Sequence, residues 1–527
     1  MNLLRNLVMM VIYAAAGVIL GNLAGRLVLI PIAMIKPVSH QTETLTAITG
    51  AIIGAILALG RYGNSGARRP TWGVHGSAHW ADAQQVKASL GGPAGLIVGR
   101  ENRERGQLLR YAGPAHLMTI APTRSGKGVG AIIPNLLTAE RSVLCIDPKG
   151  ENARVTVRAR RRLGPVHVLD PFGICDVPTA AFNPLDALAP DSLDLAEDAA
   201  LLADALVYDP PGQAGDAHWN EEAKALIAGL ILHVICHEEP AARKLPTLRR
   251  LLTGTPAAFA ALLATMSDSP AAGGLVARAA NRHLGKSERE AAGVLSTAQR
   301  HTHFLDSLRM ASVLERSDFR FEDLKSEIRT VFLVLPPDRL NTHARWLRLL
   351  VAQAIGALAR SPALPPQPVL LLLDEFAALG RLEPIERAFG LMAGYGLQLW
   401  PILQDLHQLR AVYGQSSGTF LSNAGLLQVF NVGDVETAEW VSRSIGSATF
   451  TYQTTGSSVS KGPGPLMFPQ KTTSTSTAAH LAKRELLTPD EVMRLGAALE
   501  ILLRQGQAPV IARKVRYYAD EEFQRLL

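Results

Sequence analysis

Residues 117–133 read Leu117-Met118-Thr119-Ile120-Ala121-Pro122-Thr123-Arg124-Ser125-Gly126-Lys127-Gly128-Val129-Gly130-Ala131-Ile132-Ile133. An apolar β-like run, Leu117 to Ile120, enters a turn of small residues, and a helix-compatible run leaves it. That order suits a phosphate cradle, in which backbone N–H groups at a helix N-terminus and one lysine face the β- and γ-phosphates. Thr123, Arg124, Ser125, Gly126, Lys127, Gly128 and Val129 are the candidate nucleotide-binding residues. The match to GxxxxGK[ST] departs at two places: Ala121 stands at the first glycine, and Gly128 stands where a magnesium-binding hydroxyl is usual. The metal must then lean on another oxygen, with Ser125, Thr123 and a water held by a carboxylate as the alternatives.

A carboxylate at the end of a neighbouring buried strand completes such a site by holding magnesium. Two apolar runs end in an acid, Val143-Leu144-Cys145-Ile146-Asp147 and Leu370-Leu371-Leu372-Leu373-Asp374-Glu375. Only the second adds a glutamate, and hydrolysis needs a group to orient and deprotonate water beside the metal ligand. Asp374 is therefore assigned to Mg2+, and Glu375 and Lys127 to catalysis. The bland reading of the acid pair is a helix N-terminus that favours acidic residues; the cradle upstream weighs against it. Gln404, which ends the run Trp400-Pro401-Ile402-Leu403, carries an amide that can contact the γ-phosphate and sense hydrolysis.

Working outward, short apolar runs recur at Val143 to Ile146, Val166 to Leu169, Val331 to Leu335, Val369 to Leu373 and Trp400 to Leu403, alternating with helical stretches. The rhythm is that of an α/β domain with a parallel sheet covered on both faces. It stops between residues 187 and 309, where Ala and Leu dominate and Trp219, Ala223, Ile227, Leu230 and Val234 keep helical spacing. This reads as an inserted all-α domain. The Ser/Thr/Gly-rich tract 449–477 reads as a mobile loop, followed by an ordered piece from Leu499 to Tyr518.

At 527 residues the chain is long enough for two or three domains. A net charge of +7 favours an anionic partner, although membrane-flanking Lys and Arg raise the charge too. Cys145, Cys175 and Cys236 are too scattered for a disulfide framework and read as reduced core thiols. Near the start, Leu7 to Ala24 is apolar apart from Asn22, and a second apolar run extends from Leu45 to Leu59 with Gly50 and Gly54 four apart. Both suit membrane helices, about 7–26 and 44–60. Arg5 before the pair and Arg61, Arg68 and Arg69 after it place both ends in the cytoplasm.

Several segments together resemble one family. Arg124-Ser125-Gly126-Lys127-Gly128-Val129-Gly130, Ile133-Pro134-Asn135-Leu136-Leu137 and Asp147-Pro148-Lys149-Gly150-Glu151-Asn152 are similar to the type IV coupling proteins, the TraG-like ATPases of conjugation and type IV secretion. His218-Trp219-Asn220, Leu335-Pro336-Pro337-Asp338-Arg339-Leu340, Asp374-Glu375-Phe376, Gln404-Asp405-Leu406-His407-Gln408-Leu409, Leu487-Thr488-Pro489-Asp490-Glu491 and Tyr517-Tyr518-Ala519-Asp520 follow in the same order. The resemblance implies a RecA-like P-loop NTPase domain (residues 116–186 and 310–527) with an inserted all-α domain (187–309). Residues 1–60 would form a two-helix transmembrane anchor and 61–115 a linker and the start of the cytoplasmic domain. It further implies ATP and Mg2+ as cofactors and a homohexamer in the bacterial inner membrane. The expected partners are a relaxase bound to single-stranded DNA, effector proteins, and components of a type IV secretion channel. Hexamer sites commonly receive an arginine from a neighbouring subunit; Arg381 and Arg387 lie beyond the acid pair, but each reads more readily as a solvent-exposed or locally salt-bridged arginine, so the sequence does not place that residue.

Other readings are weaker. A double-stranded DNA translocase of the FtsK or HerA type shares the fold but usually lacks the helical insertion and the Asp147-Pro148-Lys149-Gly150-Glu151 run. A non-enzymatic scaffold is opposed by Lys127, Asp374 and Glu375, and an ABC transporter by the lack of an LSGGQ-like signature. His233, Cys236 and His237 share a helix without a further ligand nearby, so a metal there is not expected. Arg158, Arg160, Arg161 and Arg162 read equally as DNA-facing charge or as a solvated helix face.

Overall fold

The structure, a computed structural model, describes residues 73–103, 106–209, 217–391, 394–463 and 469–527, together with residues 15, 18–20, 23, 41, 42 and 44–53. Of the two expected membrane helices, only residues 15, 18–20 and 23 of the first and 44–53 of the second are among the described residues, and the rest lie outside them. No helix among the described residues is long and apolar enough to cross a membrane.

The strands, in chain order, are β1 (Leu96–Glu101), β2 (Leu108–Tyr111), β3 (Leu117–Ile120), β4 (Val143–Asp147), β5 (Val166–Leu169), β6 (Thr330–Val334), β7 (Val369–Leu373), β8 (Leu397–Leu403), β9 (Leu426–Phe430), β10 (Ser447–Pro463), β11 (Pro469–Glu485), β12 (Leu499–Arg504) and β13 (Val510–Arg513). Eleven of them form one sheet in the order β2-β1-β13-β12-β9-β3-β8-β7-β4-β6-β5. From β9 to β5 every pairing is parallel. Apart from the edge strand β5, whose first two residues are half-buried, these strands are buried along their whole length, as a sheet covered on both faces requires, and so they appear in sequence as mainly apolar runs.

The sheet differs from the expected all-parallel one. β1, β2, β12 and β13 extend it through antiparallel pairings, β12 joining directly to β9. Residues 96–111, read from sequence as linker and domain start, therefore belong to the sheet. Their pattern is mixed: β2 alternates half-buried and buried residues, and β1 carries Gly99, Arg100 and Glu101, so no apolar run marks them.

Between residues 187 and 309 the regular elements described are all helical, with Ala217–His237 at the centre. Ala223, Ile227, Leu230 and Val234 are fully buried on it. This helical region and the sheet fall in one compact unit, Ala78–Ser447 with Glu485–Leu527. The long helix Pro337–Arg360 joins them. Its Arg348, 3% exposed, donates to the carbonyls of Ala205 (3.1 Å), Arg381 (2.8 Å) and Leu379, and its guanidinium sits 4.1 Å from the centre of the Tyr208 ring. Tyr208 in turn fills the space beside Gly380, which holds φ 61° and ψ −167°. A Cβ at position 380 would lie 2.0 Å from the Tyr208 ring, in a backbone region open only to glycine. Gly380→Ala is accordingly expected to lower folding stability by about 3 kcal/mol; chemical denaturation would measure it, and an unchanged midpoint would contradict the packing.

Of the tract 449–477, expected to be a mobile loop, residues 449–463 and 469–477 lie in the antiparallel pair β10 and β11. Tyr452 stacks on His480 at 5.3 Å between ring centres, and Ser458 and Ser474 hydroxyls meet at 2.7 Å across the pair. The residues that make the tract polar are mostly threonine and serine, and β-branched threonine suits a strand whose two faces are exposed. This strand pair belongs to a second compact unit, Met1–Ser77 with Ala448–Arg484.

Candidate nucleotide site

β3 ends at Ile120, and after the turn the chain winds from Gly128 to Thr138, first as a wide π-type turn (Gly128–Ile132), then as α-helix (Ile133–Thr138). Gly126 holds φ 95°, which glycine adopts without steric cost. No atom lies within 4 Å of where a Cβ would stand at Gly126 or Gly128. The loop is thus bare on the side that a phosphate must approach closely.

The strand order brings the distant acids to this loop. Only β8 lies between β3 and β7, so the residues after β3, β8 and β7 share one edge of the sheet. Lys127 Nζ donates to Glu375 Oε1 at 2.6 Å and lies 2.8 Å from Asp374 Oδ1. Gln404 Nε2 donates to Glu375 Oε2 at 3.3 Å, and Thr123 Oγ1 donates to Gln404 Oε1 at 3.4 Å. Thr123, Gln404, Glu375, Lys127 and Asp374 therefore form one connected polar chain.

Burial pushes the Asp374 carboxyl above its ordinary range, and the Lys127 ammonium beside it only partly reverses this. For Lys127, burial opposes the charge, but the two carboxylates outweigh it and raise its pKa, so it stays an ammonium at neutral pH. Glu375 takes a left-handed backbone, φ 52°. For a residue other than glycine this costs on the order of 1–3 kcal/mol and is typical of functional positions.

Asp147, the acid set aside, is engaged elsewhere. Its Oδ2 accepts the N–H of Ala153 at 2.8 Å, anchoring the turn into the helix Glu151–Arg161, and burial pushes it up to about 6. Among the hydroxyls weighed as metal ligands, Thr123 is bonded to Gln404, whereas the Ser125 hydroxyl is buried and lacks a partner. An orphaned hydroxyl in a phosphate loop is the kind of group a bound nucleotide or ion satisfies, so the residues present fit both.

Arg381 is exposed and 3.4 Å from Glu386, and Arg387 is exposed. Of the basic cluster, Arg160 is fully buried and donates to the carbonyls of Ala139 and Arg141 at 2.5 Å and to Thr330 at 2.8 Å, leaving Arg158, Arg161 and Arg162 on the surface. One residue at the loop carries no signal in the sequence: Lys514 Nζ donates to the carbonyl of Ser125 at 2.8 Å, across 389 positions.

The family model described as "Type IV secretory system Conjugative DNA transfer" matches residues 79–527. Conjugal transfer protein TraG of Escherichia coli is 30% identical over 469 residues, covering 80% of this chain and 71% of the relative. Protein VirD4 of Rhizobium rhizogenes is 32% identical over 487 residues, covering 86% and 67%. Among solved structures, the plasmid coupling protein TrwB in complex with ADP and Mg2+ superposes with a TM-score of 0.60 at 16% identity, covering 83% of this chain and 93% of TrwB.

Proposed function

From the premise that this chain belongs to the type IV secretion coupling proteins, which link a DNA substrate to the secretion system, we propose that it does so as an Mg2+-dependent ATPase. The observation that carries this reading is the Lys127 ammonium seated between Asp374 and Glu375. A phosphate loop, a strand-end acid pair and a strand-end amide are linked through it. TrwB, which shares the fold, is described with ADP and Mg2+.

Lys127 turns from the carboxylates to the β- and γ-phosphates, and backbone N–H groups of residues 123–129 cradle them. Asp374, the strand-end acid beside Lys127, would hold the metal, directly or through a water. Bound there, Mg2+ would supply charge neutralisation for the transferred phosphate. Glu375 orients the attacking water and takes its proton. Gln404, already bonded to Glu375, contacts the γ-phosphate and registers its loss, with Thr123 holding its other end.

The apolar N-terminal runs anchor the chain in the inner membrane, and subunits gather there as a homohexamer. The helical region 187–309 contributes none of the phosphate-site residues named above, which suits a surface that reads the relaxase while the basic α/β ring meets DNA phosphates. Deletion of the gene in its native host is the test: DNA transfer should fall by orders of magnitude while relaxase nicking at the origin persists. Restoration should follow from wild type but not from Lys127→Ala. Undiminished transfer, or loss of nicking, would overturn the reading.

A further inference from the structure

Lys514 follows β13, at the start of a C-terminal strap laid along the phosphate loop and its helix. Besides the Ser125 carbonyl, its ammonium contacts Asn431 Oδ1 and lies 4.5 Å from the centre of the Phe430 ring. Phe430 ends β9, the neighbour of β3 on the side away from β8, and Asn431 follows it. The strap continues against the loop. Tyr517 N donates to the Val129 carbonyl at 3.5 Å, and a Cβ at Gly130 would stand 3.0 Å from the Val515 carbonyl. Its far end is fixed independently, by Phe523 buried with Ile97, Ile133 and Leu137 and by Arg100 paired with Asp520 (3.2 Å) and Glu522 (3.0 Å).

A lysine costs rotamer entropy and desolvation to be held this way. The groups it joins are one loop carbonyl, one strand-end amide and one aromatic face, all fixed by the sheet except the loop. We propose that Lys514 is a positioning residue of the nucleotide site, clamping the Ser125 peptide to the end of β9 so that the loop keeps its phosphate-receiving shape without ligand. This rests on the loop's being the nucleotide site. Lys514 touches the carbonyl side of the loop and so acts through it, and it takes no part in the chemistry of hydrolysis.

Pre-organisation of a binding loop shows as affinity more than as rate. With the purified full chain and Mg-ATP, Lys514→Met should raise KM roughly tenfold, about 1.4 kcal/mol, with kcat within about twofold. Lys514→Arg, which keeps the charge and its donors, should recover most of the loss; a merely space-filling lysine would make Met the better replacement. A KM for Lys514→Met within about twofold of wild type, or equal impairment of Met and Arg, overturns the proposal. Should Lys514→Met not fold, Asn431→Ser removes the second anchor of the ammonium. It should raise KM severalfold, and an unchanged KM overturns the clamp. Lys127→Ala runs alongside: if it binds ATP as wild type does, the loop is not the nucleotide site, a failure distinct from that of Lys514.

Discussion

Glu375→Gln is expected to lower ATP turnover by about a thousandfold or more while ATP affinity stays within a few-fold of wild type. The amide keeps the length and shape of the side chain, and its oxygen still accepts from Lys127 in place of Glu375 Oε1. It cannot take the proton of the attacking water, and a positioned base contributes roughly 10²–10⁴-fold. The backbone strain at φ 52° is carried by glutamine as by glutamate, so the loop beyond it is undisturbed. Direct titration of ATP binding beside steady-state turnover separates the two effects. Equal loss of binding and turnover would show that Glu375 holds the nucleotide and is not the base.

Lys127→Ala is expected to weaken ATP binding by about a hundredfold or more and to abolish measurable turnover. The phosphates lose the point charge aimed at them, and Lys514 does not replace it, because it is held on the carbonyl side of the loop. A second effect separates this variant from a simple loss of affinity. Asp374 is buried, with its Oδ1 satisfied by Lys127 and by the N–H of Glu375 at 3.0 Å. Without the ammonium, a carboxyl that burial already pushes upward loses the cation that partly offsets its burial. Breaking a buried pair by removing one partner costs about 3–5 kcal/mol, so nucleotide-free Lys127→Ala should melt earlier than wild type. Adding Asp374→Asn removes the stranded charge and should return part of that stability while ATP binding stays lost. Thermal denaturation of the single and double variants reads this coupling, and additive losses would mean that the pair does not interact.

The candidate phosphate loop was legible because its pattern is local: strand, turn and helix are contiguous, with bare glycines and one lysine between them. The strand ending in Asp374 and Glu375 was legible for a related reason, since a strand buried on both faces must be an unbroken apolar run. Choosing it over the run ending in Asp147 needed the extra glutamate, and the structure separates the two by geometry. Asp147 accepts from the backbone of its own following helix, whereas Asp374 reaches Lys127. Arg160 went the other way. Four arginines within five positions read alike, but helical periodicity turns one of them inward against the Ala139 and Arg141 carbonyls.

By itself the sequence determined the α/β character of the chain, the helical region that interrupts it, the composition of the candidate site and the family resemblance. These are carried by periodicity and by contiguous motifs, which survive without knowledge of the fold. Tertiary structure alone decided what depends on strand order and distant pairing. It placed β8 between β3 and β7, so that Gln404 meets Glu375, and added β1, β2, β12 and β13 to the sheet. It paired β10 with β11 where only polar composition was visible, and it carried Lys514 across 389 positions to the Ser125 carbonyl. A side chain's role in these cases is set by which backbone carbonyl or carboxylate it meets, and no local pattern in the chain records that meeting.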